Sequence, residues 1–337
     1  MAIVGHFKDL AEARKLVQST LLANVVQEIY EEGQLLRRLP VMTIDSRSII
    51  YNREKTLPSG SFFDIHEQLS WTADVEYTAQ VECWLKRVYR QDILDKFMMK
   101  TYKSPNDYRS IILSQLRKGC MRTIEDKLIY GASTTAGTPL ETDMEFPGIN
   151  ELVFANSGQL IDQGGETYGL SITNLLDVID LVKPRPDMLL MTRTLRNKLT
   201  EHIFSKGGTG TGLAYITITK DEFGKPLEMF NGVPIAISDY LNDNCLDNAG
   251  TKSTGTDLSC IYAIRFGQIE DGGLCLCTGG DTGGVDFFQM IELDNLEDYD
   301  ASGIRLVAYL TLALGSTKAL ACIHSIAQDE AIGTEPG

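Results

Sequence analysis

Cysteine and histidine are the side chains best suited to hold a metal or to act as nucleophile and base, and this 337-residue sequence contains seven of the first and four of the second. Cys275 and Cys277 form a lone Cys-x-Cys, whereas zinc sites usually use Cys-x-x-Cys with a second ligand pair. Cys83, Cys120, Cys245, Cys260 and Cys322 are scattered, and an odd total leaves at least one thiol unpaired. Reduced, mostly buried thiols are the expectation. His6, His66, His202 and His324 each lack the adjacent Cys, Ser or carboxylate pattern that would suggest a triad. The run Gly207-Gly208-Thr209-Gly210-Thr211-Gly212 has the glycines of a dinucleotide loop but follows helix-type sequence instead of linking a strand to a helix, so a mobile loop is expected. The sequence has no His-Glu-x-x-His, no Gly-x-Ser-x-Gly and no Gly-x-x-x-x-Gly-Lys. No catalytic, metal or cofactor residue is assigned, although Asp and Glu are numerous enough to leave a carboxylate pair open.

Composition narrows the classes further. A hydrophobic content of 43% supports a real core, and a formal net charge of −15 repels polyanions, which argues against a dedicated nucleic-acid or membrane-surface protein. No stretch approaches the roughly 20 apolar residues of a membrane helix, and the N-terminus lacks the layout of a secretory leader, so synthesis in the cytosol is expected. One region departs from the acidic background. Between Trp84 and Tyr130 there are eleven Lys and Arg against five Asp and Glu. That excess fits either a solvated helix face or a surface turned towards a polyanion.

The elements that must position these residues follow from periodicity and turn chemistry. Asp9 and Glu12 open an amphipathic helix to about Glu32, packed on its own domain or laid as an arm over a neighbour. Val41-Met42-Thr43-Ile44 and Ile49-Ile50-Tyr51 are short β-type runs within an extended loop or hairpin outside the core. Strict alternation from Asp74 to Cys83 predicts a long strand. Ser104-Pro105-Asn106-Asp107 starts a helix over 105–130, with Leu113, Leu116, Cys120, Ile124 and Leu128 on one face and Gly131 as its stop.

The middle of the chain reads as α/β: a helix at 173–182, a buried strand Met188–Met191 after Pro184 and Pro186, and a helix capped by Thr192. This pattern alone permits a Rossmann-like enzyme. Asn231-Gly232 predicts a hairpin whose second strand, carrying Pro234, is an edge or bulged strand. From Gln268 to Ser302 nine acidic and no basic residues predict an exposed loop or hairpin. Alternation at Ile304–Leu312 and a run at 319–326 close the chain with two strands.

The order of these elements, together with Phe146-Pro147-Gly148-Ile149 and Phe230-Asn231-Gly232-Val233-Pro234-Ile235, resembles the Hong Kong 97 fold of tailed-bacteriophage major capsid proteins over nearly the whole chain. The resemblance implies an α+β Hong Kong 97-like capsid fold: an N-terminal arm (1–40), an extended β-hairpin loop (41–74), a peripheral domain (75–145 and 296–337) with spine helix 105–130, and an α/β axial domain (146–295). It implies a non-enzymatic subunit without cofactors that assembles with itself as hexamers and pentamers into an icosahedral virion shell around double-stranded DNA, built in the bacterial host cytoplasm and not on a membrane. Arg109, Arg117, Lys118 and Arg122 become candidates to face the genome without sequence preference. Arg47, Tyr51, Arg53, Lys55, Phe62 and Phe63 become candidates for the inter-subunit loop. Only about forty residues precede the loop, so a separate scaffolding protein is expected, beside a portal protein and, in some relatives, a decoration protein. Lys55 is the only loop lysine, and no covalent cross-link is assigned to it. An encapsulin shell and a soluble α/β enzyme built around residues 170–240 are the alternatives.

Overall fold

Met188-Leu189-Leu190-Met191 has no polar position, and a strand of that kind must be covered on both faces. The computed structural model describes residues 33–54, 60, 62–65, 67, 78–101, 108–133, 140–165, 168–206, 216–220, 226–241, 258–279, 288–296 and 299–333. The expected N-terminal helix, Lys55, His6, His66, Cys245 and the Gly207–Gly212 run lie outside them. The chain begins with α1 (Leu35–Arg38), β1 (Val41–Ile44), β2 (Ser48–Glu54), β3 (Thr78–Trp84), β4 (Lys86–Asp95), α2 (Lys96–Thr101) and the spine helix α3 (Tyr108–Tyr130). It continues with α4 (Ile149–Phe154), β5 (Leu160–Asp162), α5 (Ile172–Leu181), β6 (Met188–Met191), α6 (Arg193–Lys206), β7 (Ile216–Lys220), β8 (Pro226–Phe230) and β9 (Val233–Ile237). It ends with β10 (Leu258–Ile264), β11 (Leu274–Gly279), β12 (Gln289–Leu293), β13 (Ala301–Leu314) and β14 (Leu320–Ala327).

A seven-stranded sheet runs β5-β14-β10-β6-β9-β8-β7. Among the described residues its parallel pairs are β5 with β14 and β6 with β9. The doubly wound parallel sheet that the α/β pattern permitted is therefore not formed, because β10, from far along the chain, enters antiparallel beside β6, and β14 pairs antiparallel with β10 beyond it. Period-2 alternation assigns the two faces of this sheet. Met188, Leu190, Tyr262 and Ile264 enter one apolar cluster with Ile124 and Leu128 of α3, while Leu189, Met191, Ile261 and Ala263 join Leu175, Val178 and Leu195 of the two helices on the other side.

A five-stranded sheet is organised around β13, which pairs with β4 on one side and with β11 and β12 on the other, β1 lying beyond β11. The two closing strands thus belong to different sheets. The two short loop runs also separate. β1 joins the body in parallel with β11, and Ile44 is buried, whereas β2 pairs with β3 in a two-stranded ribbon. The acidic segment 268–302 is not one exposed loop either. Leu274–Gly279 is buried along its whole length, since its residues are apolar or small and the acids flank them.

Local chemistry accounts for the joints. Asn231 and Gly232, at φ 46° and 75°, turn β8 into β9 between Phe230 and Val233. β9 is an interior strand, contrary to the edge position expected from Pro234. That proline precedes the residues that pair with β6, which begin at Ile235, so its missing N–H removes no bond from that ladder. Thr192 Oγ1 accepts from Leu195 N at 3.3 Å and caps α6. Gly148 lets the chain return against the end of α3, because a Cβ there would lie 2.6 Å from Ile129 O.

Glu125 of α3 is buried and accepts from Leu36 N at 3.2 Å, which ties α1 to the spine helix. Burial raises its pKa, partly opposed by the Leu36 N–H and the charge of Arg37. A carboxylate raised in the folded state stabilises fully below its ordinary value of about 4.5 and loses that contribution as pH rises through the raised value. Thermal melts of Glu125→Gln against the native chain should therefore coincide in acid and diverge in favour of the variant towards neutral pH.

Candidate assembly interface

A two-stranded ribbon has too little core to stand alone in water, so the β2–β3 pair depends on its root. Ser48 faces Trp84 at one end and Glu54 faces Thr78 at the other. Tyr51 and Arg53, two residues apart, project on one face. Tyr51 Oη donates to Leu314 O at 2.6 Å, and Arg53 Nε donates to Gly315 O at 3.0 Å while Nη2 reaches Leu314 O. Burial pushes the Tyr51 phenol well above its ordinary range and keeps it a donor. At the ribbon's base the Arg47 guanidinium lies 5.4 Å from the Trp84 ring centroid and is paired with Glu141.

Beside it, Lys86 is 5% exposed, and its Nζ donates to Leu140 O at 2.6 Å, Asp143 O at 2.8 Å and Glu141 O at 3.3 Å. Burial lowers its pKa, against the opposing charges of Asp143 and Glu141. Lys86 escaped the sequence reading because nothing in a β-type run marks one lysine as interior. Of the six loop candidates, Arg47, Tyr51 and Arg53 make these contacts within their own subunit. Phe62 and Phe63, with Ile65, are exposed apolar side chains.

The four basic candidates share α3 and are all exposed. Arg109 pairs with Glu292, and Arg122 lines a cleft between α3 and β4, as does Arg90. Ile112, Leu116, Cys120, Ile124 and Leu128 supply the buried face of the same helix, with Leu113 half-buried.

Among the described residues, those with chemical potential do not converge in a reactive geometry. Cys275 and Cys277, Sγ atoms 4.0 Å apart, pack with Cys83, Ile44 and Ala313. The Cys277 hydrogen bond lowers the Cys275 pKa, while that same bond and then burial raise Cys277, and burial pushes Cys83 up to about 11. Among the described residues no three His, Cys, Asp or Glu side chains gather to hold a metal ion. Cys260 is held in a disulfide, contrary to the expectation of reduced thiols, whereas Cys83, Cys120, Cys275, Cys277 and Cys322 are free and buried.

His324 does meet a serine and an acid, which the sequence reading missed. Its Nδ1 lies 2.8 Å from Ser325 Oγ and 3.7 Å from Asp162 Oδ1, and burial lowers its pKa against the pull of Asp162. Both partners crowd one ring nitrogen, whereas a triad needs the nucleophile and the acid on opposite nitrogens. Among the described residues no helix is long and apolar enough to cross a membrane.

No protein-family model matches the chain, and none of the curated proteins matches it in sequence. Solved structures do match its fold. The holo-SrpI encapsulin complex from Synechococcus elongatus PCC 7942 superimposes with a TM-score of 0.67 at 16% identity, covering 98% of this chain and 99% of that one. The capsid of the native GTA particle gives 0.60 at 10% identity, covering 94% and 98%. Mycobacterium phage Ogopogo gives 0.59 at 15% identity, covering 94% and 99%. The class these likenesses define is an α+β fold shared by capsid and encapsulin chains along their whole length. In particular, it is the Hong Kong 97-like capsid fold.

Replacing Lys86 by Met keeps the volume but leaves three carbonyls without their donor. Urea unfolding should show a loss of about 2 kcal/mol.

Proposed function

We propose that the chain is a major capsid protein, assembling as hexamers and pentamers into an icosahedral shell that encloses double-stranded phage DNA. The observation that carries this reading is the likeness to shell proteins over at least 93% of this chain in each of the structures compared. It is supported by the β2–β3 ribbon anchored on Leu314 and Gly315 and by the exposed Phe62, Phe63 and Ile65, which lie in sequence between its two strands. Repeated copies multiply modest contacts across a closed shell. On this reading Arg109, Arg117, Lys118 and Arg122 face the genome, with phosphate contacts that carry no sequence information. The overall acidity then implies that DNA is driven in and not drawn in. Scaffolding, portal and decoration proteins would be separate partners.

The second reading is an encapsulin shell around a cargo protein. The superposition on the SrpI encapsulin favours it.

Light scattering and electron microscopy of the purified chain should show closed particles of megadalton mass. A stable monomer or dimer would overturn both readings. Particles holding a folded cargo protein, with neither portal nor DNA, would select the second. Lys118→Glu with Arg122→Glu should reduce packaged DNA or particle stability, and unchanged particles and titres would remove α3 from the genome-facing surface.

A further inference from the structure

We propose that the outer edge of β12 in one subunit docks against the outer edge of β4 in a second copy, inside the cleft walled by α3. The inference rests on the shell-subunit reading and names a contact within it.

The five-stranded sheet presents two open sides. Among the described residues no strand pairs with β4 or with β12 on the side away from β13. Such edges expose unpaired N–H and C=O groups and invite uncontrolled pairing unless something covers them. Neither edge here is blunted by a proline. β12 is apolar as well as open: Met290, Ile291 and Leu293 are 47%, 40% and 40% exposed, on both faces of the strand. On the other side, Tyr89 of β4 is 65% exposed beside a cleft of about 830 Å³ lined by Val88, Arg90, Ile112, Leu116 and Arg122. Val88 to Asp92 form its strand wall. That stretch matches β12 in length, both being five residues or roughly 17 Å.

Charge distinguishes the two edges. Every exposed charged side chain described on β4 and α3 is Arg or Lys, while Asp92 and Asp126 in the cleft are half-buried. β12 and the residue after it expose Glu292 and Asp294. Glu292 already serves Arg109 of its own subunit, so Asp294 is the acid available to a basic rim across the contact. An acidic, apolar edge meeting a basic, aromatic one is a heterologous contact. Repeated about the axis of a ring whose rotation closes, it leaves neither β4 nor β12 open.

The test uses the full chain carrying Tyr89→Cys with Ile291→Cys. After mild oxidation of assembled particles, non-reducing electrophoresis should show a ladder of covalently linked copies, absent from either single variant. Particles that assemble without a ladder overturn this contact and leave the shell reading intact. Dimers from Ile291→Cys alone overturn it in favour of a symmetric β12 pair. Arg90→Glu should lower particle yield on the order of tenfold with an unchanged subunit melt, and adding Asp294→Arg should restore it. Failure of that rescue with both variants folded also overturns the pairing. A native chain that stays monomeric overturns the shell reading itself.

Discussion

Every backbone N–H and C=O along a buried strand must find a partner, and on β13 that requirement organises the molecule. Its residues 301–310 bond to β4, while β12 takes 303–307 and β11 takes 310–314 on the opposite side. Its last carbonyl, Leu314 O, accepts Tyr51 and Arg53 from the ribbon. Gly315 then turns the chain towards β14 in the other sheet, and a Cβ at this position would lie 2.6 Å from Ile269 O. One strand thus leads from one sheet into the other and holds the ribbon through Tyr51 and Arg53. Alternation along it sends Ala308, Leu310 and Leu312 into the central core, where they meet Tyr262 and Cys322 of the neighbouring sheet.

The ribbon shows how polar groups reinforce a small apolar cluster, to which Ile49, Tyr51, Val81 and Cys83 contribute. Tyr51 and Arg53 bond to backbone carbonyls and Arg47 to one carboxylate, so the anchorage is directional, while Lys86 beside it holds the 140–143 segment. Directional anchorage holds an otherwise marginal two-stranded element at a defined angle. The cost appears in the buried charges: Lys86 and Glu125 both have pKa values moved towards neutrality by loss of water. Each is kept because a backbone group that would otherwise lack a partner depends on it.

Electrostatic asymmetry adds a second layer. A chain with net charge −15 places its basic excess on β4 and α3 and its most acidic stretch around β12. Within one subunit, among the described residues, the two regions meet at the start of α3 through Arg109 and Glu292 and just after β4 where Lys96 bonds Asn295. Elsewhere they face outward, which suits contacts between copies better than the stability of one copy. Exposed pairs contribute little to folding but select partners and orientation strongly.

The sequence by itself determined the local elements: the spine helix from its apolar spacing, β6 from an unbroken apolar run, the α6 cap from Thr192 and the β8–β9 turn from Asn231-Gly232. These depend on neighbours a few residues away, so a short window contains the physics. It also conveyed the order of elements that resembles the capsid fold. Tertiary structure alone decided which strands share a sheet, and so sent β13 and β14 to different sheets and β1 to the body. It likewise buried Leu274–Gly279 inside an acidic segment, brought Asp162 to His324, and made Lys86 an interior anchor. Strand pairing and the desolvation of single charges are set by groups up to hundreds of residues apart, and no periodicity records them.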